Sequence, residues 1–153
     1  MVSQMQKTPF YSNNLLVWIT GLSGAGQTTL ANALKESMVS KGYIPVSQYR
    51  DVLREVLGVT GKCYTFEERK KLAFCYIRLA NLLAKQGVFV IVATVSMFEN
   101  VRKWYQENNC KYCEVYLKVD REIRASRDPK KLYESNTDLV EIENGFDKPI
   151  NQT

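Results

Sequence analysis

The residues Gly21-Leu22-Ser23-Gly24-Ala25-Gly26-Gln27-Thr28-Thr29 follow the apolar run Leu15-Leu16-Val17-Trp18-Ile19 with the glycine spacing of a phosphate-binding P-loop. Gly21, Gly24 and Gly26 let the backbone curl so that successive N–H groups from Ser23 through Ala25 to Thr29 point at phosphate oxygens. Thr28 keeps the hydroxyl that sits on Mg²⁺ in such loops, and the helix it opens offers its positive end to the anion. Gln27 stands where the pattern G-x-x-x-x-G-K-[ST] has Lys. Its amide can donate hydrogen bonds to phosphate but brings no charge, so polyphosphate binding is expected and rapid transfer is not. A Gly-rich strand-to-helix turn without a ligand is the plain alternative. The order of apolar strand, loop and amphipathic helix favours the phosphate site, with Leu30, Leu34 and Met38 four apart on one face before Gly42.

The rest of the composition narrows the chemistry. A chain of 153 residues with 45% apolar and 24% charged residues reads as one domain, residues 1–153, with 1–14 as an N-terminal extension. No apolar run approaches membrane length and the first residues lack a signal-peptide core, so a soluble cytoplasmic protein without membrane partners is expected. The net charge of +5 suits anionic small molecules; nucleic acid is not expected as a partner. Cys63, Cys75, Cys110 and Cys113 are read as reduced, metal-free thiols, because Cys110-x-x-Cys113 lacks a second paired spacing. With no histidine in the chain, acid/base work falls to a carboxylate or another group.

Strands and helices alternate along the chain. Tyr43 to Ser47 is an extended piece, and Asp51 to Leu57 a helix stopped by Gly58. Thr65 and Glu68 make a capping box for a helix whose Leu72, Tyr76, Leu79 and Leu83 share a face, ending at Gly87. Val88 to Ala93 is apolar throughout, as in a central parallel strand buried on both faces. A helix through Val101–Tyr105, a strand over Glu114–Val119, a helix over Arg121–Arg127 and a strand over Asp138–Ile142 complete the series. This order predicts a three-layer α/β fold, a parallel sheet flanked by helices, with ligands at the carboxyl ends of the strands.

The stretches Val17-Trp18-Ile19-Thr20-Gly21-Leu22-Ser23-Gly24-Ala25-Gly26, Tyr64-Thr65-Phe66-Glu67-Glu68-Arg69, Val95-Ser96-Met97-Phe98 with Arg102, and Arg127-Asp128-Pro129-Lys130-Lys131-Leu132-Tyr133 together resemble the adenylyl-sulfate kinase family of P-loop kinases. The likeness runs roughly from Leu15 to Tyr133 and implies a P-loop kinase fold, ATP as co-substrate, Mg²⁺, nucleotide partners and a homodimer. It implies transfer of the γ-phosphoryl of MgATP to the ribose 3′-hydroxyl of a nucleotide with a second anion on its 5′-phosphate. On the same basis Asp51 matches the last Asp of D-G-D-N-x-x-R, orienting or deprotonating the attacking hydroxyl and helping Thr28 hold the metal, and Gln27 takes the place of the catalytic Lys. Arg54 and Arg69 would grip the acceptor's phosphates, Ser96 and Phe98 match a turn beside the acceptor, and Arg127 and Lys130 match a lid. A surface ion pair between Asp51 and Arg54 is the plain alternative for those two.

The departures from the family pattern bear on the acceptor. Tyr49 and Arg50 replace the first Asp and Gly of D-G-D, Val52 replaces its Asn, Leu72 stands at an Asn that faces the acceptor, and Met97 replaces a Pro. Lost polar contacts argue against a strong preference for adenylyl sulfate. They fit the branch of the family that acts on cytidine diphosphoramidate in capsular polysaccharide synthesis. After Tyr133 the family's lid is short or missing, since Glu134-Ser135-Asn136 runs into Thr137-Asp138-Leu139-Val140. A true adenylyl-sulfate kinase, a catalytically silent nucleotide-binding pseudokinase and a generic nucleotide or shikimate-like kinase stay open at this level.

Overall fold

The structure, a computed structural model, describes residues 15–59, 65–95, 98–108 and 111–127. Four strands, β1 (Leu15–Gly21), β2 (Val46–Tyr49), β3 (Val90–Thr94) and β4 (Lys111–Leu117), form one parallel sheet in the order β2-β3-β1-β4. The helices are α1 (Gln27–Ser40), α2 (Arg50–Val56), α3 (Phe66–Lys85), α4 (Glu99–Asn108) and α5 (Arg121–Ser126). The architecture is the expected α/β P-loop kinase fold. The expected strand over Asp138–Ile142 and the stretch from Asp128 through the lid lie outside the described residues.

The apolar runs of β1 and β3 make sense because each strand buries both faces. Successive side chains point to opposite sides of a strand. Leu16, Trp18, Val90 and Val92 therefore pack with Ala73, Tyr76, Ile77, Phe98, Val101 and Tyr105 of the α3–α4 side. Val17, Ile19, Ile91 and Ala93 pack with Ala31 of α1 on the other. Trp18, Tyr76, Tyr105 and Phe98 are the largest fully buried side chains; truncating any one to Ala would cost about 3–5 kcal/mol.

Helix boundaries and faces shift in ways the packing explains. The central stripe of α3 is Ala73, Tyr76, Ile77, Ala80 and Ala84, while Leu72, Leu79 and Leu83 are half-buried flanks. Alanines at the centre let the helix approach the sheet closely, and the leucines reach in from the sides. The capping box of Thr65 and Glu68 is present, and its hydrogen bonds hold the Glu68 carboxyl below the usual carboxylate range. On α1 the buried line runs through Gln27 and Ala31 to Leu34 and Met38, leaving Leu30 at the solvent edge. β3 begins at Val90, two residues later than its apolar run, and β4 at Lys111, three residues before the expected Glu114. Among the described residues, Cys75 and Cys113 are free thiols, no three or more His, Cys, Asp or Glu side chains cluster as a metal site, and no helix is long and apolar enough to cross a membrane.

On β4, Glu114 lies on the sheet face that carries Trp18, with Arg102 Nη1 3.9 Å from its Oε1. Burial pushes the Glu114 carboxyl up, against the pull of Arg102 and a hydrogen bond from Tyr112, whose own phenol burial holds well above its ordinary range. Between the ordinary and the raised value the folded chain binds more protons than the unfolded one, so this group's contribution to stability falls as pH rises. Urea unfolding of the parent and of Glu114→Gln, compared from about pH 4 to about pH 7, should show the parent losing stability relative to the variant. A gap that widens in the parent's favour with rising pH contradicts the assignment.

Candidate functional site

The carboxyl ends of all four strands open into one cavity of about 760 Å³. Its walls are Ser23, Gly24, Ala25, Gly26, Gln27, Thr28 and Thr29 after β1, Tyr49, Arg50 and Asp51 after β2, Ala93, Thr94 and Val95 after β3, Leu117 of β4 and Arg127 after α5, with Leu30 and Ala33 of α1. Ligands of open parallel sheets sit at this end, where the strand order reverses about β1. The volume is in the range of small-molecule sites.

Three glycines shape the loop, each for its own reason. A Cβ on Gly21 would lie 2.8 Å from the Leu117 carbonyl oxygen, so the end of β1 can sit against β4 only without a side chain. Gly24 has φ +81°, and its Cβ would lie 2.8 Å from the Arg124 carbonyl oxygen. Arg124 is itself buried, its Nε donating to the Val119 carbonyl at 3.0 Å. Gly26, with φ +98°, has open space where a Cβ would be and forms the N-cap of α1 without a side-chain hydrogen bond.

That uncapped helix end faces the cavity. The Leu30 N–H donates to the Gly26 carbonyl at 3.0 Å, so the N–H groups of Gln27, Thr28 and Thr29 precede the helical ladder. No acidic residue lies in the first turn to compete for them. Thr28 is exposed with its residue in the cavity wall, a fitting oxygen donor for a metal-bound polyphosphate.

Gln27 is buried, and its side chain turns away from that opening. Nε2 donates to the Gly21 carbonyl at 2.6 Å and to the Leu22 carbonyl at 3.2 Å. The expected amide donation to phosphate is therefore not the arrangement here: both amide hydrogens are spent bracing the loop from beneath.

Asp51 lies in the cavity wall with its side chain 66% exposed and its Oδ1 3.4 Å from Arg50 Nε. Arg127, the C-cap of α5, also lines the cavity. Arg54 and Arg69 are half-buried and do not line it. Phe98 is only 2% exposed, packed edge-to-face beneath the exposed Phe66 with centroids 5.4 Å apart, so the aromatic surface offered outward belongs to Phe66. Ser96 and Lys130 lie outside the described residues. Tyr49 and Arg50, which depart from the family pattern, both wall the cavity, as their position directly before Asp51 requires.

Comparison with known proteins agrees with this geometry. A family model described as adenylylsulphate kinase matches residues 13–152. The chain is 33% identical over 143 residues to cytidine diphosphoramidate kinase of Campylobacter jejuni, covering 90% of this chain and 83% of that protein. It is 38% identical over 125 residues to a probable adenylyl-sulfate kinase of Archaeoglobus fulgidus, covering 78% and 77%. Among solved structures, the APS kinase of Mycobacterium tuberculosis in complex with AMPPNP and APS superposes with a TM-score of 0.72 at 27% identity, covering 90% of this chain and 82% of that one.

The glycine geometry gives a paired expectation. Gly26→Ala meets only the left-handed backbone penalty, about 1–2 kcal/mol. Gly24→Ala adds a backbone clash and should cost roughly 1–3 kcal/mol more. Equal midpoints for the two variants in urea unfolding would show that α5 yields freely to the added methyl.

Proposed function

Because the chain belongs to the adenylylsulphate kinase family, we propose that it transfers the γ-phosphoryl of MgATP to the ribose 3′-hydroxyl of a nucleotide bearing a second anion on its 5′-phosphate. We take cytidine diphosphoramidate as the favoured acceptor and Gln27 as a brake on turnover. The observation that carries this reading is the single cavity in which an open helix N-terminus, the Thr28 residue, Asp51 and Arg127 meet.

In this reading the loop N–H groups and the N-terminus of α1 hold the β- and γ-phosphates. Thr28 and Asp51 offer the oxygen ligands that Mg²⁺ takes, and the ion when bound neutralises phosphate charge. The acceptor's 3′-oxygen forms the bond to γ-phosphorus as the bond to the β–γ bridging oxygen breaks. ADP leaves, and the hydroxyl proton passes to the Asp51 carboxylate. Arg54 and Arg69 grip the acceptor's phosphates with forked donors, outside the polyphosphate cavity, while Arg127 and Lys130 close over it. Ser96 and the Phe66–Phe98 pair flank the acceptor. Cytoplasmic location and a part in capsule synthesis belong to the same reading.

Two features support the choice of acceptor. Leu72 is half-buried against the core where the family has an Asn, so an apolar side chain replaces a hydrogen-bonding one. The relative from Campylobacter jejuni is a cytidine diphosphoramidate kinase that the chain matches along most of both lengths. Calorimetric titration with cytidine diphosphoramidate and with adenylyl sulfate, each with ADP and Mg²⁺, should give tighter binding of the former. A tenfold preference for adenylyl sulfate, about 1.4 kcal/mol, overturns the acceptor and leaves the kinase assignment standing.

The inward-turned Gln27 amide favours a second reading, a silent nucleotide-binding pseudokinase. Phosphoryl transfer separates the two. Restoring the charge with Gln27→Lys should raise turnover by roughly 10²–10³-fold, as for one preorganised donor, and Asp51→Asn in that background should lower kcat more than acceptor affinity. No rise with any acceptor leaves only the silent module.

A further inference from the structure

The P-loop of this chain has Gln27 in place of its Lys, and Arg50 stands in the cavity wall beside Asp51 where it can supply positive charge. Gln27 is neutral and its amide hydrogens serve the Gly21 and Leu22 carbonyls. Among the described residues, the charged ones in the wall are Arg50, Asp51 and Arg127. Without Arg50 the described part of the wall would carry Arg127 against Asp51, with no net positive charge to offer a polyphosphate. Arg54 and Arg69 do not line this cavity, so neither fills the gap.

Arg50 is placed by well-tied backbone. The preceding residue, Tyr49, ends β2 in register with Ala93 of β3, and its hydroxyl donates to Asn32 Oδ1 on α1. Arg50 itself opens α2, with its side chain only 20% exposed and Nε 3.4 Å from Asp51 Oδ1. A guanidinium is a planar fork of five donors whose geometry matches phosphate oxygens. The same contact ties the cation to the carboxylate proposed to act on the acceptor hydroxyl.

We propose that Arg50 is a phosphate-binding residue that supplies, from the β2–α2 junction, the positive charge the P-loop lacks, and that it grips the terminal phosphate of a bound nucleoside triphosphate. This inference rests on the MgATP site of the proposed function. Where a P-loop Lys delivers its charge from beneath the loop, Arg50 delivers it from the facing wall of the cavity. Binding of the terminal phosphate therefore depends on Arg50 while Gln27 is in place, and depends on it less once a Lys stands there.

The test is a double-mutant cycle read by calorimetric binding of MgAMPPNP and MgADP to the whole chain, with no acceptor and no turnover required. Arg50→Ala should weaken MgAMPPNP by about tenfold or more and MgADP by less than about threefold, the size of a charge-assisted contact to one phosphate. Arg50→Lys should keep most of the preference for the triphosphate. In the Gln27→Lys background the MgAMPPNP loss should shrink to less than about threefold, since two cations would share one task. Equal losses in both backgrounds make Arg50 a support for Asp51 and overturn the proposal. So do equal losses for the two nucleotides, or no loss. Arg50→Gln, near the parent in size, gives the same reading should Arg50→Ala unfold, with circular dichroism confirming the fold. A cycle that comes out as expected while every acceptor fails in the transfer assay would sink the kinase reading and leave Arg50 in its role.

Discussion

Backbone meeting backbone at the β1–α1 loop is the constraint on which the site depends. The end of β1 lies against the Leu117 carbonyl, and the loop lies against the carbonyl of Arg124 in α5, both too close for a methyl group. A loop wedged between a strand and a helix has few conformations left, so its N–H groups are oriented before a ligand arrives. The entropy of ordering them is met during folding, through the burial of β1 and β3 on both faces. Arg124, buried and bonded to the Val119 carbonyl, fixes the α5 end of the same clamp.

Gln27 belongs to that clamp more than to the chemistry. Its amide nitrogen braces two loop carbonyls from below, a task a neutral side chain performs without the desolvation that a buried ammonium would suffer there. The consequence is a loop with good geometry and no charge of its own. Positive potential then has to come from the walls, and Arg50 and Arg127 stand on opposite sides of the loop, after β2 and after α5. Phosphoryl transfer is chiefly positioning and charge neutralisation, so where the cations stand matters as much as how many there are.

The side proposed for the acceptor is built differently. Phe98 is sunk in the core with Phe66 laid edge-on over it, and Leu72 of α3 packs half-buried against the same core cluster. Arg54 and Arg69 stand away from the polyphosphate cavity, on α2 and α3. On the proposed reading, a division of this kind would separate the cations for one nucleotide from those for the other. On the proposed reading, an apolar Leu72 at a position where the family pattern has Asn is the feature on which discrimination between acceptors would turn.

The fold class, the P-loop, the capping box at Thr65 and the central place of Val88–Ala93 were legible in the chain, because each rests on local chemistry or a short period. Glycine spacing fixes a loop, a Thr and a Glu three apart close a helix end, and an unbroken apolar run needs cover on both sides. Side-chain direction was not legible. Whether Gln27 points outward or back beneath its own loop depends on carbonyls it meets only once the loop is folded. That Leu72 and Leu79 flank a stripe of alanines depends on how closely α3 lies on the sheet. Tyr49 and Arg50 looked like lost family residues; only the convergence of four strand ends set them in the cavity wall beside Asp51. Sequence determined which groups are present and which elements carry them, since those follow from neighbours along the chain. Tertiary structure alone decided which of these groups share one space, since that follows from contacts between residues distant in sequence.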